Sequence, residues 1–181
     1  MIFYFFFSFF ILQRIVELFI AKKNERMMKK KGAIEFGKKQ YAVIVLLHIT
    51  FFISYLSEVM IFHKGLSILW PLLIIALSLT QLLRLWVIVS LGERWNTKIL
   101  VLPKKDVVVK GPYRLIRHPN YVVVVCEFLL IPLFFQAYVT AILFSLCNVY
   151  ILFIRIREEE KALLEMTNYG QRFTNISRFT P

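Results

Sequence analysis

Charge is scarce in this chain: Asp, Glu, Lys and Arg make up 19% of its 181 residues, against 59% hydrophobic ones. So low a share leaves a soluble enzyme of this size close to excluded. Cysteine is nearly absent. Cys126 and Cys147 both lie inside apolar stretches, so neither a disulfide framework nor a paired-thiol zinc site is indicated, and both read as inert packing residues. The histidines at 48, 63 and 118 are too scattered for a ligand set, and no metal is expected. The chain lacks a G-x-G-x-x-G turn, a Walker loop, His-Glu-x-x-His and Gly-x-Ser-x-Gly, which removes support for a soluble nucleotide fold, a zincin or a serine hydrolase. Met1 to Leu12 has neither the basic leader nor the small-residue cleavage site of a secretory signal, and reads as a retained membrane span.

What is present is apolar length and positive charge. The 23 basic residues outnumber 11 acidic ones for a net +12, a balance that fits nucleic acid or an anionic membrane surface. The apolar runs decide for membrane lipids, with no nucleic-acid partner. Segments of about 20 apolar residues can cross a bilayer, and they place spans at about 1–21, 41–62 and 65–91. From Tyr121 to Ile154 the only charge is Glu127. One straight helix of that length would measure about 51 Å against a hydrocarbon core of about 30 Å, so the segment must fold back. Pro132 and Gln136 mark the bend, giving a hairpin of spans 121–135 and 137–155. The expected fold is therefore an all-α integral membrane protein of five transmembrane helices, forming one membrane-embedded domain over 1–181.

Basic residues of short loops stay in the cytoplasm. Twenty of the 23 fall in 22–40, 92–120 and the tail from 155, while the turn near 64 offers only Lys64. This predicts an outside N-terminus and a cytoplasmic C-terminus. The tail segment Glu158–Phe173 has the pattern of one amphipathic helix.

Titratable residues inside spans are costly and are functional suspects. Arg14, His48, Arg84 and Glu127 all lie about 10 Å below the expected cytoplasmic boundary, which predicts a polar layer at one depth. Arg14 with Glu17 also suits a simple pair at i, i+3, and the arginines can snorkel. Glu58 falls near the opposite face and reads as interfacial.

The most informative stretch is Gly111-Pro112-Tyr113-Arg114-Leu115-Ile116-Arg117-His118-Pro119-Asn120-Tyr121. Pro119 can occupy the first turn of a helix, where its missing N–H costs little. That helix start carries unpaired donors and partial positive charge beside Arg117 and His118, so it suits a carboxylate or phosphate. The same residues also suit a headgroup-level anchor of Arg, His and Tyr. Downstream, Arg155-Ile156-Arg157-Glu158-Glu159-Glu160 emerges where the last span ends. A solvated face with Arg155 and Glu159 paired at i, i+4 explains it alone. The hairpin, however, brings Arg117-His118 and Glu159-Glu160 to one rim, and opposed charges there suit a zwitterionic ligand.

Together, Gly111-Pro112-Tyr113 through Arg117-His118-Pro119-Asn120-Tyr121, Arg155-Ile156-x-x-Glu159-Glu160-x-x-Leu163 and Arg178-Phe179-Thr180-Pro181 resemble the isoprenylcysteine carboxyl methyltransferase family. Leu91-Gly92-Glu93-Arg94-Trp95 fits as well, so the likeness covers about 84–181. In the first half Arg14-Ile15-Val16-Glu17-Leu18, Asn24 and Leu47-His48 resemble a bacterial branch, which implies a bacterial cell membrane. The resemblance implies transfer of methyl from S-adenosylmethionine to a carboxylate or hydroxyl of a lipid-tailed or prenylated acceptor. It implies that His118, Pro119 and Tyr121 line the cofactor site and that Glu159 or Glu160 takes the ammonium or ribose hydroxyls. Arg117 is expected to orient the acceptor oxyanion or cofactor carboxylate, and Arg155 to close the pocket. A carboxylate acceptor needs no base, whereas a hydroxyl would need His48 or Glu127. Two competing readings are a nicotinamide-dependent membrane sterol or lipid reductase, which shares an Arg-His-Pro-x-Tyr signature, and a noncatalytic membrane scaffold.

Overall fold

The structure, a computed structural model, describes residues 1–174 and 176–179. The final Thr180-Pro181 of the C-terminal motif thus lies outside the described residues. Helices α1 (Ile2–Lys30), α2 (Lys38–Ile61), α3 (Trp70–Leu91), α4 (Pro119–Leu133) and α5 (Tyr138–Met166) form the body, and a one-turn α6 (Tyr169–Arg172) follows. Four of them, α1, α2, α3 and α5, are long and apolar enough to cross a bilayer, and α4 is a shorter apolar helix. The chain is an all-α integral membrane protein, as its composition predicts.

Lipid is as apolar as leucine, so helices in a bilayer are held by close packing and polar contacts rather than by the hydrophobic effect. Both are present. Helix α5 packs on α4 and α2, and α4 packs on α3. Phe3 and Phe7 of α1 meet Tyr55 of α2, Phe6 stacks on Phe134 at 4.5 Å between centroids, and Phe51 lies 4.5 Å from Phe128 of α4. Offset and edge-on aromatic pairs of this kind add about 0.5–1.5 kcal/mol each beyond burial.

The fold-back falls where the sequence places it. Pro132 sits in the last turn of α4, and Gln136 takes a left-handed φ of 56° between the two helices. Its amide holds the Leu66 carbonyl at 3.2 Å, and Ser67 N–H bonds Phe134 O at 3.0 Å. Glu58, read from the sequence as interfacial, is buried within the protein. Its carboxylate accepts from the backbone N–H groups of Val139 (3.1 Å) and Thr140 (2.7 Å) and from the Thr140 hydroxyl. A carboxylate from α2 thereby caps α5 at its positive end, satisfying donors that lipid cannot.

At the opposite, polar end an antiparallel pair that the sequence reading did not anticipate joins β1 (Ile34–Phe36) to β2 (Ile99–Val101), with Glu35 opposite Leu100. Ile99 and Val101 pack on Ala162 of α5, which continues well past its apolar span. Asn24 donates to Trp95 O at 2.8 Å, and Asn96 to Ala21 O at 2.9 Å, locking this loop to α1. The tail helix predicted over 158–173 is interrupted. Thr167 Oγ1 donates to Leu163 O and receives the Tyr169 N–H, while Asn168 Oδ1 takes the Val107 N–H, so α5 stops at Met166.

Candidate active site

Of the four residues expected at one depth, Arg14, Arg84 and Glu127 meet, with Glu17, in a cluster that binds α1, α3 and α4 together, while the His48 ring lies against the Ile44 carbonyl of its own helix. Arg84 donates from Nε to Glu127 Oε1 at 3.0 Å and from Nη1 to Glu17 Oε2 at 2.9 Å, and a further pair joins Arg84 Nη2 to Glu127 Oε2. Arg14 bridges Glu17, at 2.8 Å, and Glu127. Gln13 and Gln81, which sequence reasoning passed over because they carry no charge, complete the circuit through Glu17 and Glu127. Glu127 is 1% exposed and wholly engaged by these donors.

From this layer a cavity of about 240 Å³ runs toward the polar end. Its inner wall carries Arg14, His48, Arg84 and Asn148, its middle Tyr121 and Arg155, and its outer part Tyr113, Arg117, His118, Glu159 and Tyr169. Thus six of the nine residues given a site role from the sequence, His48, Arg117, His118, Tyr121, Arg155 and Glu159, border one space. Pro119, Glu127 and Glu160 stand behind the wall. Pro119 opens α4, as predicted, with His118 in the capping position.

The strand pair and the hairpin set the site's geometry. Tyr121 on α4 donates to Glu159 on α5 at 2.5 Å and accepts from Arg155 Nε at 3.0 Å. Arg155 Nη2 reaches the Thr97 carbonyl at 2.6 Å, just before β2, so β2 fixes the guanidinium. His118 Nε2 lies 3.0 Å from Glu160 Oε1, and Arg178 grips the same carboxylate, with its Nε at 3.0 Å and its Nη2 at 2.5 Å. The tail is pinned across the segment before α4: Arg117 N–H donates to Ser177 O at 2.9 Å, and the Arg117 side chain to Ile176 O.

Burial alone would push the Glu160 carboxyl up, but the His118 and Arg178 hydrogen bonds outweigh it and lower it from 4.5 to about 2. Burial, with Glu160 adding, raises the Tyr169 phenol, and burial with Glu159 raises Tyr113, so both remain protonated donors.

Several polar atoms at this cavity are deeply buried and lack a partner among the described residues: Arg155 Nη1, Asn148 Nδ2 and Asn120 Oδ1. Buried polar atoms are ordinarily paired, so each asks for a ligand or water. Asn120 stands in the motif read from the sequence but has no role there, and Asn148 is absent from that reading. Asn148 had a signal, being an amide inside an otherwise apolar span.

Loop geometry before α4 depends on one glycine. Gly111 has φ +55°, and a Cβ there would come within 2.7 Å of Trp86 Nε1 and closer still to Ser90 Oγ. The Gly-Pro-Tyr turn is thereby laid flat against α3.

A sequence model of the isoprenylcysteine carboxyl methyltransferase (ICMT) family matches residues 72–165, a stretch that includes α4, most of α5 and most of the cavity wall. The chain belongs to the isoprenylcysteine carboxyl methyltransferase family. It is also 49% identical over 155 residues to the uncharacterized protein YpbQ of Bacillus subtilis (strain 168), covering 86% of this chain and 92% of that one. An uncharacterized protein of Haemophilus influenzae is 30% identical over 155 residues, covering 83% of this chain and 88% of that one. Both relatives are bacterial, in keeping with the branch that the N-terminal residues resemble. ICMT membership makes the chain a methyltransferase-like membrane protein, and its matched region is the half that carries the rim residues.

Proposed function

We propose that the protein is an S-adenosylmethionine-dependent O-methyltransferase acting on a lipid-tailed acceptor, with the whole chain working as one membrane-embedded domain. The observation that carries this reading is the set of opposite charges bordering one cavity: the Glu159 carboxylate and the Arg155 and Arg117 guanidinium groups all line it, with the Tyr121 hydroxyl bridging Glu159 to Arg155. The cofactor's amino-acid moiety carries an ammonium and a carboxylate, and this donor set suits it. Glu159 receives the ammonium or the ribose hydroxyls, the free Nη1 of Arg155 and the side chain of Arg117 receive the carboxylate, and Asn120 Oδ1 offers one further acceptor. Tyr113, Tyr121 and Tyr169 supply aromatic walls. Glu160 does not bind the cofactor itself but holds His118 in place through its Nε2–H, and Pro119 fixes the start of α4.

The cofactor supplies a methyl group on a cationic sulfur. An anionic acceptor oxygen bonding to that methyl would lose its charge as the carbon–sulfur bond broke and the sulfur left as a neutral thioether, so a site screened from bulk water by the tail and the strand pair would favour the transfer, and alignment would do the rest. His48, at the inner wall, is placed to help a hydroxyl acceptor lose its proton, whereas Glu127 is held by two arginines and Gln81 and serves the architecture. The basic loops put the polar end in the cytosol, where the cofactor is found, with the N-terminus outside. The apolar tail of the acceptor enters sideways from the bilayer.

Equilibrium binding of S-adenosylmethionine to the detergent-purified protein tests the cofactor assignment, with reduced nicotinamide dinucleotide phosphate as competitor. We expect micromolar binding, weakened at least tenfold in Glu159→Gln and His118→Ala and indifferent to the nicotinamide. Binding of the nicotinamide in place of S-adenosylmethionine would move the chain to the reductase class. Binding of neither would make it a noncatalytic membrane protein.

A further inference from the structure

Asn148 is 2% exposed, lies in the membrane part of α5, borders the cavity, and has no partner for its Nδ2 among the described residues. An amide N–H left unpaired in so apolar a setting costs free energy in the empty protein. His48 borders the same cavity. Helices α2 and α5 run antiparallel, with Ser54 Oγ 2.9 Å from Thr140 Oγ1, so His48, six residues from Ser54, and Asn148, eight residues from Thr140, lie at the same depth to within about half a turn. His48 Nδ1 lies 2.8 Å from the Ile44 carbonyl. A carbonyl only accepts, so Nδ1 carries the hydrogen, and in the neutral ring Nε2 keeps a free lone pair.

We propose that Asn148, with His48 at the same depth of the cavity, is the seat for the head group of the lipid-tailed acceptor. The Asn148 amide donates to an oxygen of that head, and His48 Nε2 accepts from the head only where it carries a hydroxyl. The seat lies at membrane depth, about 10 Å inside the end of the apolar span at Arg155, so a head whose tail stays in lipid reaches it without leaving the bilayer. The role as acceptor seat rests on the methyltransferase reading, while the lipid binding does not.

The test uses the full chain in lipid nanodiscs, thermal unfolding as readout, and two probes: N-acetyl-S-farnesylcysteine, with a carboxylate head, and 3-pentadecylphenol, with a hydroxyl head. At least one probe should raise the wild-type Tm by several degrees. Asn148→Leu should lose more than half of that rise, bind S-adenosylmethionine within twofold of wild type, and unfold no earlier than wild type without probe, because the lost Nδ2 donor had no partner among the described residues. His48→Ala should lose only the response to the phenol. Retention of the full response in Asn148→Leu, absence of response to both probes in wild type, or parallel loss of lipid and S-adenosylmethionine binding would each overturn the seat. A wild type that binds lipid through Asn148 yet fails to bind S-adenosylmethionine would uphold the seat and sink the methyltransferase reading.

Discussion

Glu160 shows how a motif residue can matter without facing the ligand space. It gathers His118, Tyr169 and Arg178 around one carboxylate, which holds that carboxyl at about 2 in the folded protein. A group whose folded value lies below its unfolded value stabilises at higher pH and loses that contribution as pH falls. The contribution is therefore complete above about pH 4.5 and disappears toward pH 2. Thermal unfolding of the detergent-solubilised protein should show a Tm that falls through this window, with a shallower fall in Glu160→Gln. At the residue scale the sequence carried the types but not their division of labour. Adjacent glutamates on a helix point about 100° apart, which separates Glu159 at the wall from Glu160 behind it, yet which one faces inward depends on α4, and α4 is placed by long-range packing. Asn148 carries no charge, so the depth argument from titratable residues does not reach it.

Elements were legible where their signal is local. Apolar length gave the spans, and Gln136 with Pro132 gave the hairpin. The strand pair was not legible: Ile34–Phe36 and Ile99–Val101 are three residues each and pair across two loops, so neither segment carries a strand pattern of its own. The cap on α5 was equally hidden, since Glu58 lies on α2 and the donors it serves begin at Val139. Substituting Glu58 by Ala removes the acceptors of two backbone N–H groups at the start of α5, and should lower stability by about 2 kcal/mol, measured by denaturant unfolding in mixed micelles. Gly111→Ala should be destabilising as well, because its added methyl meets the Trp86 and Ser90 side chains at a left-handed backbone position. Loss of cofactor binding should accompany it, as the turn leads directly into His118.

At the scale of the molecule, the polar layer and the cavity form one device. Glu127 ties α4 to α1 and α3 through Arg14 and Arg84, and both arginines line the inner wall of the space whose rim bears the family's motif residues. Removing one member of such a buried cluster leaves charge uncompensated, so Glu127→Gln should cost about 3–5 kcal/mol and Glu127→Gln/Arg84→Met less than the sum of the separate changes. The common depth of these groups was readable from span counting, because depth along a helix is a matter of arithmetic. Their pairing was not, because it requires the rotation of each helix about its axis.

The account's central claim is methyl transfer at this cavity. Its most direct measurement follows labelled methyl from S-adenosylmethionine into organic-soluble product when the purified protein is incubated with a total bacterial lipid extract. The account predicts label in the lipid fraction with wild type and at least a tenfold loss in His118→Ala and Glu159→Gln, each checked for folding. A folded wild type that leaves the lipid fraction unlabelled, or a His118→Ala variant that labels it as fast as wild type, would contradict the claim.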